Sequence, residues 1–418
     1  MTPTRKPLGL TAALLLAAVC ARAQFCPLSE DDSVQRIVSC KPGVSMEDCR
    51  ALAQTAGCNV VRELPSINAV VITIPKARMG IQEARLKNRQ EIYRVDADEK
   101  INWLKSEGAA FGDFPVTAFT KSKASKPATG TAVIPWGISR VNAPAAWPVT
   151  QGAGVKVAII DTGVDVTHPD LKASIAGGFN AVDSSKPNDF ADDQGHGTHV
   201  AGTIAGRGIT GGVAGVAPQA RLYAVKVLDR FGNGSFSEII AGLEWAVQNH
   251  MDVANMSLGA DEGSDPLLRE VQAATKAGLV IIAAAGNANG GPMSFPGAYP
   301  ETIAVSASDE QDKLASYSSV GDNVGFIAPG SNILSSILGG KYGELSGTSM
   351  ATPHVTGLSA LAISQGAHGT ESVRAALTRA ATKLPGLSAS QQGAGMIDAG
   401  RLVGGALVSV AASASGAR

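Results

Sequence analysis

The chain has 418 residues, 44% of them hydrophobic and only 17% charged, which supplies core material for two or three domains and excludes wholesale disorder. Thirty-five basic residues balance thirty-six acidic ones, leaving a net charge of -1. That balance gives no reason to expect nucleic acid or an anionic membrane as partner.

In chain order, the first segment reads as an export signal. Arg5 and Lys6 supply the positive start, Leu8 to Val19 is an apolar run too short to span a bilayer, and Ala21-Arg22-Ala23 offers the small-x-small pattern of a signal-peptidase site. Residues 1–23 are therefore expected to be a signal peptide, and the protein to be secreted, extracellular or periplasmic. With Cys20 lost in the signal, Cys26, Cys40, Cys49 and Cys58 remain. An even number in an exported segment suggests two disulfides, with all three pairings open.

Residues 24–104 read as a small α+β domain. Arg36 to Cys40 is a strand, Ser45 to Ala56 a helix capped by Ser45, and Asn59–Leu64 and Ala69–Ile74 two further strands. A helix over Arg78–Lys87 and a strand over Glu91–Val95 complete a β-α-β-β-α-β order, which is ferredoxin-like. Residues 105–132 change character, with Ser, Lys, Ala, Gly and Pro in no sustained period; this is a linker of the kind proteases cut.

From Trp136 onward, short apolar strands alternate with helices: Val155–Ile160, Ala220–Leu228, Asp252–Leu258, Leu279–Ala285 and Thr302–Ser306. Strands apolar on both faces belong to a buried parallel sheet, so residues 133–403 are expected to form a three-layer α/β/α domain. Phe236 to His250 and a helix capped by Asp265, with Pro266 in its first turn and closed by Gly278, would cover the sheet, and residues 404–418 are left as a tail. The active site should lie at the carboxyl ends of the strands.

Three segments put a reactive side chain at a turn. Asp161 ends the first strand in Ala158-Ile-Ile-Asp-Thr-Gly163, His196 opens a helix in Gly195-His-Gly-Thr-His-Val-Ala-Gly202, and Ser349 sits in Ser346-Gly-Thr-Ser-Met-Ala-Thr-Pro-His354. Pro353 is expected in the first turn of the helix beginning at Ser349, which leaves the serine at the positive end. Asp, His and Ser in this order form one of the known arrangements of a serine-protease triad.

These segments resemble the signature segments of the subtilisin-like serine proteases. Val253-Ala-Asn-Met-Ser-Leu-Gly259, Ala283-Ala-Ala-Gly-Asn287 and Gly393-Ala-Gly-Met-Ile-Asp-Ala399 extend the resemblance from about Pro135 to Ala399. The N-terminal unit is similar in element order to the family's inhibitor propeptide. The resemblance implies a secreted endopeptidase, processed from its own precursor, in which Ser349 is the nucleophile, His196 its base, Asp161 the orienting acid and Asn287 an oxyanion donor. It further implies that Ser257, Leu258, Gly259, Ala284, Ala285 and Gly286 flank the substrate and that Phe236 lines an outer apolar subsite. Small uncharged walls suit apolar side chains, with Asp261, Glu262 and Asp265 expected in solvent; folded inward, they would favour basic ones.

Partners implied are protein or peptide substrates and the chain's own propeptide as inhibitor and folding aid, in a monomer with neither nucleic acid nor membrane. No cofactor is needed for the chemistry. A structural calcium is an open option: in the bacilli-type relatives it is held by a Gln, an Asp and a loop Asn, and here Asp170 stands alone, with Ala132 in place of the Gln and no Asn in Gly206–Gly212. His199 is spaced from His196 like a metal pair, but no His-Glu-x-x-His occurs; His199 and His354 are expected to be structural. Alternative classes are a catalytically silent binding protein, a peptide ligase using the same acyl-enzyme, and a metallohydrolase.

Overall fold

The computed structural model describes residues 32–104 and 131–404. The expected signal peptide, Cys26, linker residues 105–130 and the tail beyond residue 404 lie outside the described residues.

The N-terminal unit runs β1 (Ser33–Cys40), α1 (Met46–Thr55), β2 (Asn59–Leu64), β3 (Ala69–Pro75), α2 (Met79–Lys87) and β4 (Ile92–Ala97). The strands form one antiparallel sheet in the order β2-β3-β1-β4, the ferredoxin-like arrangement. Ser45 caps α1 by accepting the Asp48 N–H at 3.1 Å. Alternation along β1 and β3 makes this sheet apolar on both faces. Val38, Val70, Ile72 and Ile74 pack with Cys49, Ala53 and Leu86 of the unit's own helices, while Ile37, Leu64, Ala69 and Val71 join a core shared with the larger domain. A sheet with two apolar faces needs two covers, and the second is supplied by the domain that follows.

Cys40 and Cys49 form a disulfide with Cα atoms 6.0 Å apart. Cys58 is a free thiol buried in the same small core, and burial pushes its pKa up. One of the two expected disulfides is thus formed among the described residues; Cys26, which a second would need, lies outside them.

The larger domain is built on seven parallel strands: β6 (Lys156–Asp161), β7 (Ile175–Asn180), β8 (Arg221–Lys226), β10 (Val253–Met256), β11 (Val280–Ala284), β12 (Ile303–Ser308) and β13 (Val324–Pro329), in the order β13-β12-β11-β10-β6-β8-β7. A short β5 (Lys100–Asn102) precedes them and pairs antiparallel with β9 (Asn233–Ser235). Small helices α3 (Trp136–Arg140) and α4 (Ala143–Ala146) lead into α5 (His196–Ala205), α6 (Phe236–Gln248), α7 (Asp265–Lys276) and α8 (Thr348–Ser364). Val157, Ile159 and Ile282 face a core shared with α5 and α8; Ala158, Ile160 and Ile281 face one shared with α6 and α7. This is the three-layer α/β/α architecture, with helices on both faces of a buried sheet.

Two local expectations are corrected. Ser264, not Asp265, holds the N-cap position of α7, and Asp265 is its first residue. Pro353 lies inside α8 and not in its first turn, because the helix already begins at Thr348.

Candidate active site

Asp161 is the last residue of β6 and is wholly buried; His196 is the first residue of α5. The imidazole Nδ1 lies 2.8 and 3.0 Å from the two Asp161 carboxylate oxygens. A carboxylate only accepts, so Nδ1 carries the proton and Nε2 is left as the basic nitrogen. The approach is close because Gly197 has no side chain: a Cβ there would collide with the Gly163 carbonyl. The start of α5 is held by Asp192, whose carboxylate accepts the N–H groups of Gln194, Gly195 and Thr198 and the hydroxyl of Thr162. Thr162 Oγ1 in turn accepts the Gly197 N–H at 2.9 Å. Asp192 and Thr162 were not singled out in the sequence; only the Asp-Thr-Gly and Asp-Asp-x-Gly-His contexts carried a signal.

Ser349 is the second residue of α8, 6% exposed, where the helix dipole favours negative charge. Its hydroxyl donates to the Ser257 carbonyl at 3.2 Å. Asn287 follows the sharp turn at Gly286, φ +106°. The Asn287 Oδ1 accepts the Thr348 N–H at 3.0 Å and the Thr348 hydroxyl at 3.2 Å. A backbone N–H can only donate, so this contact identifies Oδ1 and assigns the NH2 group to the other side of the amide.

One cleft is lined by Leu258, Gly259, Ala284, Gly286, Asn287 and Ser349 among the expected residues. Ser257 and Ala285 do not line it: both are wholly buried behind it, and the Ser257 hydroxyl is spent on the Ser349 carbonyl at 2.8 Å. Asp261, Ala288, Ser294 and Thr348 add to the lining. Asp261 is solvent-exposed at this rim, Glu262 is exposed, and Asp265 pairs with Arg269 at 3.1 Å.

The same cleft touches Trp103 and Leu104, at the end of the N-terminal unit. After β5 pairs with β9, the Trp103 N–H donates to Gly232 and its carbonyl accepts from Gly259, both at 3.0 Å. The indole is 2% exposed, donates Nε1–H to the Gly234 carbonyl at 2.9 Å and stands edge-on to Phe236 at 5.1 Å. The chain thus lays its own residues 100–104 as a strand between β9 and the 257–259 segment.

His199 and His354 are fully buried, each with one ring nitrogen on a backbone carbonyl, Ile333 at 2.8 Å and Met350 at 2.9 Å. Burial holds their pKa values down to about 3 and about 4, so both are neutral. Asp170 does not fit a calcium ion. Its Oδ1 accepts the Ile209 N–H at 2.7 Å, and its Oδ2 accepts the Val213 N–H and the Tyr342 hydroxyl, each at 2.8 Å. A cation wants oxygen lone pairs around it, and this carboxylate is surrounded by donors. Among the described residues no cluster of three or more His, Cys, Asp or Glu side chains is placed to hold a metal.

Fold and site together define a three-layer α/β domain with a buried Asp161–His196 pair at the carboxyl end of β6 and Ser349 at the start of α8. The chain belongs to the subtilase family of S8 peptidases, which residues 152–395 match. It is 49% identical over 237 residues to subtilisin NAT of Bacillus subtilis subsp. natto, covering 56% of this chain and 61% of that protein. It is 48% identical over 237 residues to the subtilisin of Bacillus pumilus, 56% of this chain and 85% of that one. Alkaline protease of Alkalihalobacillus alcalophilus is 50% identical over 229 residues, 54% of this chain and 59% of that protein. The chain thus spans about three fifths of the length of subtilisin NAT and of that alkaline protease. Among the described residues no helix is long and apolar enough to cross a membrane.

Proposed function

We propose that the chain is a secreted serine endopeptidase that cuts itself free of its N-terminal unit. The observation that carries this reading is the 2.8 Å contact of His196 Nδ1 with buried Asp161, in a domain that also sets Ser349 at the positive start of α8. The Ser349 hydroxyl turns from the Ser257 carbonyl toward His196 Nε2, which takes its proton as Oγ attacks the scissile carbonyl. Asp161 stabilises the imidazolium so formed, which then protonates the leaving amine, and water hydrolyses the acyl-enzyme by the reverse sequence. The Asn287 NH2 group, oriented by Thr348, and the Ser349 N–H stabilise the oxyanion. The relatives' names, subtilisin and alkaline protease, support the same chemistry.

Leu258, Gly259, Ala284 and Gly286 favour apolar side chains over charged ones, with Asp261 at the rim as the one carboxylate that would attract a basic side chain. The strand at residues 100–104 occupies the cleft as a substrate would, which supports the N-terminal unit as an intramolecular inhibitor. The apolar run from Leu8 to Val19 supports export. The enzyme works as a monomer, and its chemistry needs no cofactor.

Intact mass and N-terminal sequencing of wild type beside Ser349→Ala test this. Wild type should be cut between Leu104 and Val133 while the variant stays whole. If both are cut alike, an outside protease matures the chain. If neither is cut and a serine-directed phosphonate leaves Ser349 unlabelled, the protein is a silent binding protein instead.

A further inference from the structure

Where the N-terminal unit meets α6 and α7, two carboxyl groups converge on one hydroxyl. Ser66, in the turn between β2 and β3, places its Oγ within hydrogen-bonding distance of Glu244 Oε1 on α6 and of Glu270 Oε2 on α7. Its backbone N–H also donates to Glu244 Oε1, at 2.7 Å. Both glutamates are buried, Glu244 at 7% and Glu270 at 1% exposure. A serine hydroxyl has one proton to give, so two carboxylates cannot both accept it. One carboxyl must carry a proton of its own and donate to Ser66.

The surroundings select which. Burial raises the pKa of Glu244, but the Ser66 N–H and the positive field of Arg62 on β2 oppose that rise, so of the two carboxyls it ionises first. Glu270 faces only Ser66 and the like charge of Glu244, so it is the neutral acid. Arg269, its neighbour on α7, is engaged with the Ile67 carbonyl, Ser39 and Asp265. Asp98 and Glu238 gather around Arg62 and add further negative charge to this interface. Among the described residues Arg62 is already taken up by Glu244, Asp98 and Glu238, and the groups acting on Glu270 include no cation to compensate a second carboxylate at Ser66.

We propose that Glu270 is a proton-dependent latch for the N-terminal unit: protonated, it holds Ser66, and ionised, it opposes Glu244 across the same hydroxyl and loosens the unit. The regulatory meaning rests on the reading of that unit as the inhibitor of the cleft; the latch itself needs no catalysis. Burial first, and the charge of Glu244 second, push Glu270 up to about 8. Once the helices face water, the carboxyl returns toward its ordinary value near 4.5. Docking therefore takes up a proton. Its full strength is present below the free value and is lost as pH rises toward the docked value, by up to about tenfold per pH unit. The device releases the unit on going alkaline.

Hydrogen exchange on full-length Ser349→Ala, which cannot cut itself, tests this. The amides of Ser66, Trp103 and Gly259 report the docked state, and those of β11 report folding. Corrected for intrinsic rates, protection at the three interface amides should fall toward tenfold per unit between about pH 5.5 and 8, and stay flat when Glu270→Gln is added. An equally flat profile in the parent, or an unchanged slope with Glu270→Gln, overturns the proposal. Should Glu270→Gln fail to protect β11, Glu244→Gln takes its place. It removes the opposing charge and should shrink the slope, and an unchanged slope again overturns the latch. Failure of the phosphonate to label wild type would overturn the peptidase reading and leave this result standing.

Discussion

Pro353 stands four residues beyond Ser349 in α8, and the hydrogen bond it cannot donate to the Ser349 carbonyl comes from outside the helix, from Ser257 Oγ at 2.8 Å. The exchange is mutual, because the Ser349 hydroxyl donates to the Ser257 carbonyl at 3.2 Å. Asn255 Nδ2 holds Ser257 Oγ at 2.9 Å, and Thr356 holds Asn255 Oδ1 at 2.8 Å. The gap that a proline leaves in the helix ladder is thus used to tie the nucleophile's backbone to the end of β10.

Ser257→Ala removes that tie. The Ser349 carbonyl then loses its partner in a buried place, which should cost about 1–3 kcal/mol of stability. Turnover should fall several-fold, with KM nearly unchanged, since the serine does not line the cleft. Adding Pro353→Ala restores an N–H to the same carbonyl and should recover part of both losses. Thermal melts and steady-state kinetics check this, and a Ser257→Ala enzyme indistinguishable from wild type would show that the carbonyl needs no outside donor.

Asn287→Leu keeps volume and removes the oxyanion donor. Turnover should fall by roughly a hundred- to a thousandfold, the range known from a subtilisin's oxyanion asparagine, with KM little changed. Thr348→Val should do less. It deletes one of the two bonds that orient the Asn287 amide and leaves the Thr348 N–H in place, so a loss of about tenfold or less is expected. A Thr348→Val variant as impaired as Asn287→Leu would mean that the threonine does more than orient the amide.

The reactive residues were legible because each sits at an element boundary marked by glycine: Asp161 before Thr162-Gly163, His196 after Gly195, Ser349 after Gly347. The five central strands were legible as apolar runs. The two edge strands were not. Ile175-Ala-Gly-Gly-Phe-Asn180 has too little apolar surface to read as a strand, and its Gly178 is needed because a Cβ would strike the Ala224 carbonyl next door. Val324–Pro329 ends at a proline, tolerated because β13 is an edge. Contacts between distant positions left no local trace: nothing near Ser66 announces Glu244 or Glu270, and nothing near Asp170 announces Tyr342.

Asp170 and Tyr342 tie down the 209–213 loop with hydrogen bonds. The carboxylate pins the 209–213 loop through two backbone N–H groups, with the tyrosine hydroxyl as third donor. Adding calcium or a chelator should therefore leave the Tm of Ser349→Ala in place. Tyr342→Phe should lower stability by about 1.5–3 kcal/mol, the range for a hydrogen bond to a charged group. A chelator-induced drop in Tm would show that calcium is held after all, through other oxygens.

Acid should unfold the protein by way of its buried histidines. His199 and His354 are neutral in the fold, with pKa values held to about 3 and about 4 by burial, and they regain ordinary values near 6.5 when the chain unfolds. Their folded pKa lies below the unfolded one. Stability is therefore complete above about pH 6.5 and declines as pH falls, on the order of 1 kcal/mol per unit for each histidine down to about pH 4. Glu270 works in the opposite sense over the same range, because its folded value is raised and the folded state binds the extra proton. Between about pH 4.5 and 6.5 Glu270 should thus offset part of the slope that the histidines produce. Urea midpoints of Ser349→Ala at several pH values measure that slope, and adding Glu270→Gln should steepen it. A slope unmoved by Glu270→Gln would mean that Glu270 does not hold its proton in the folded protein.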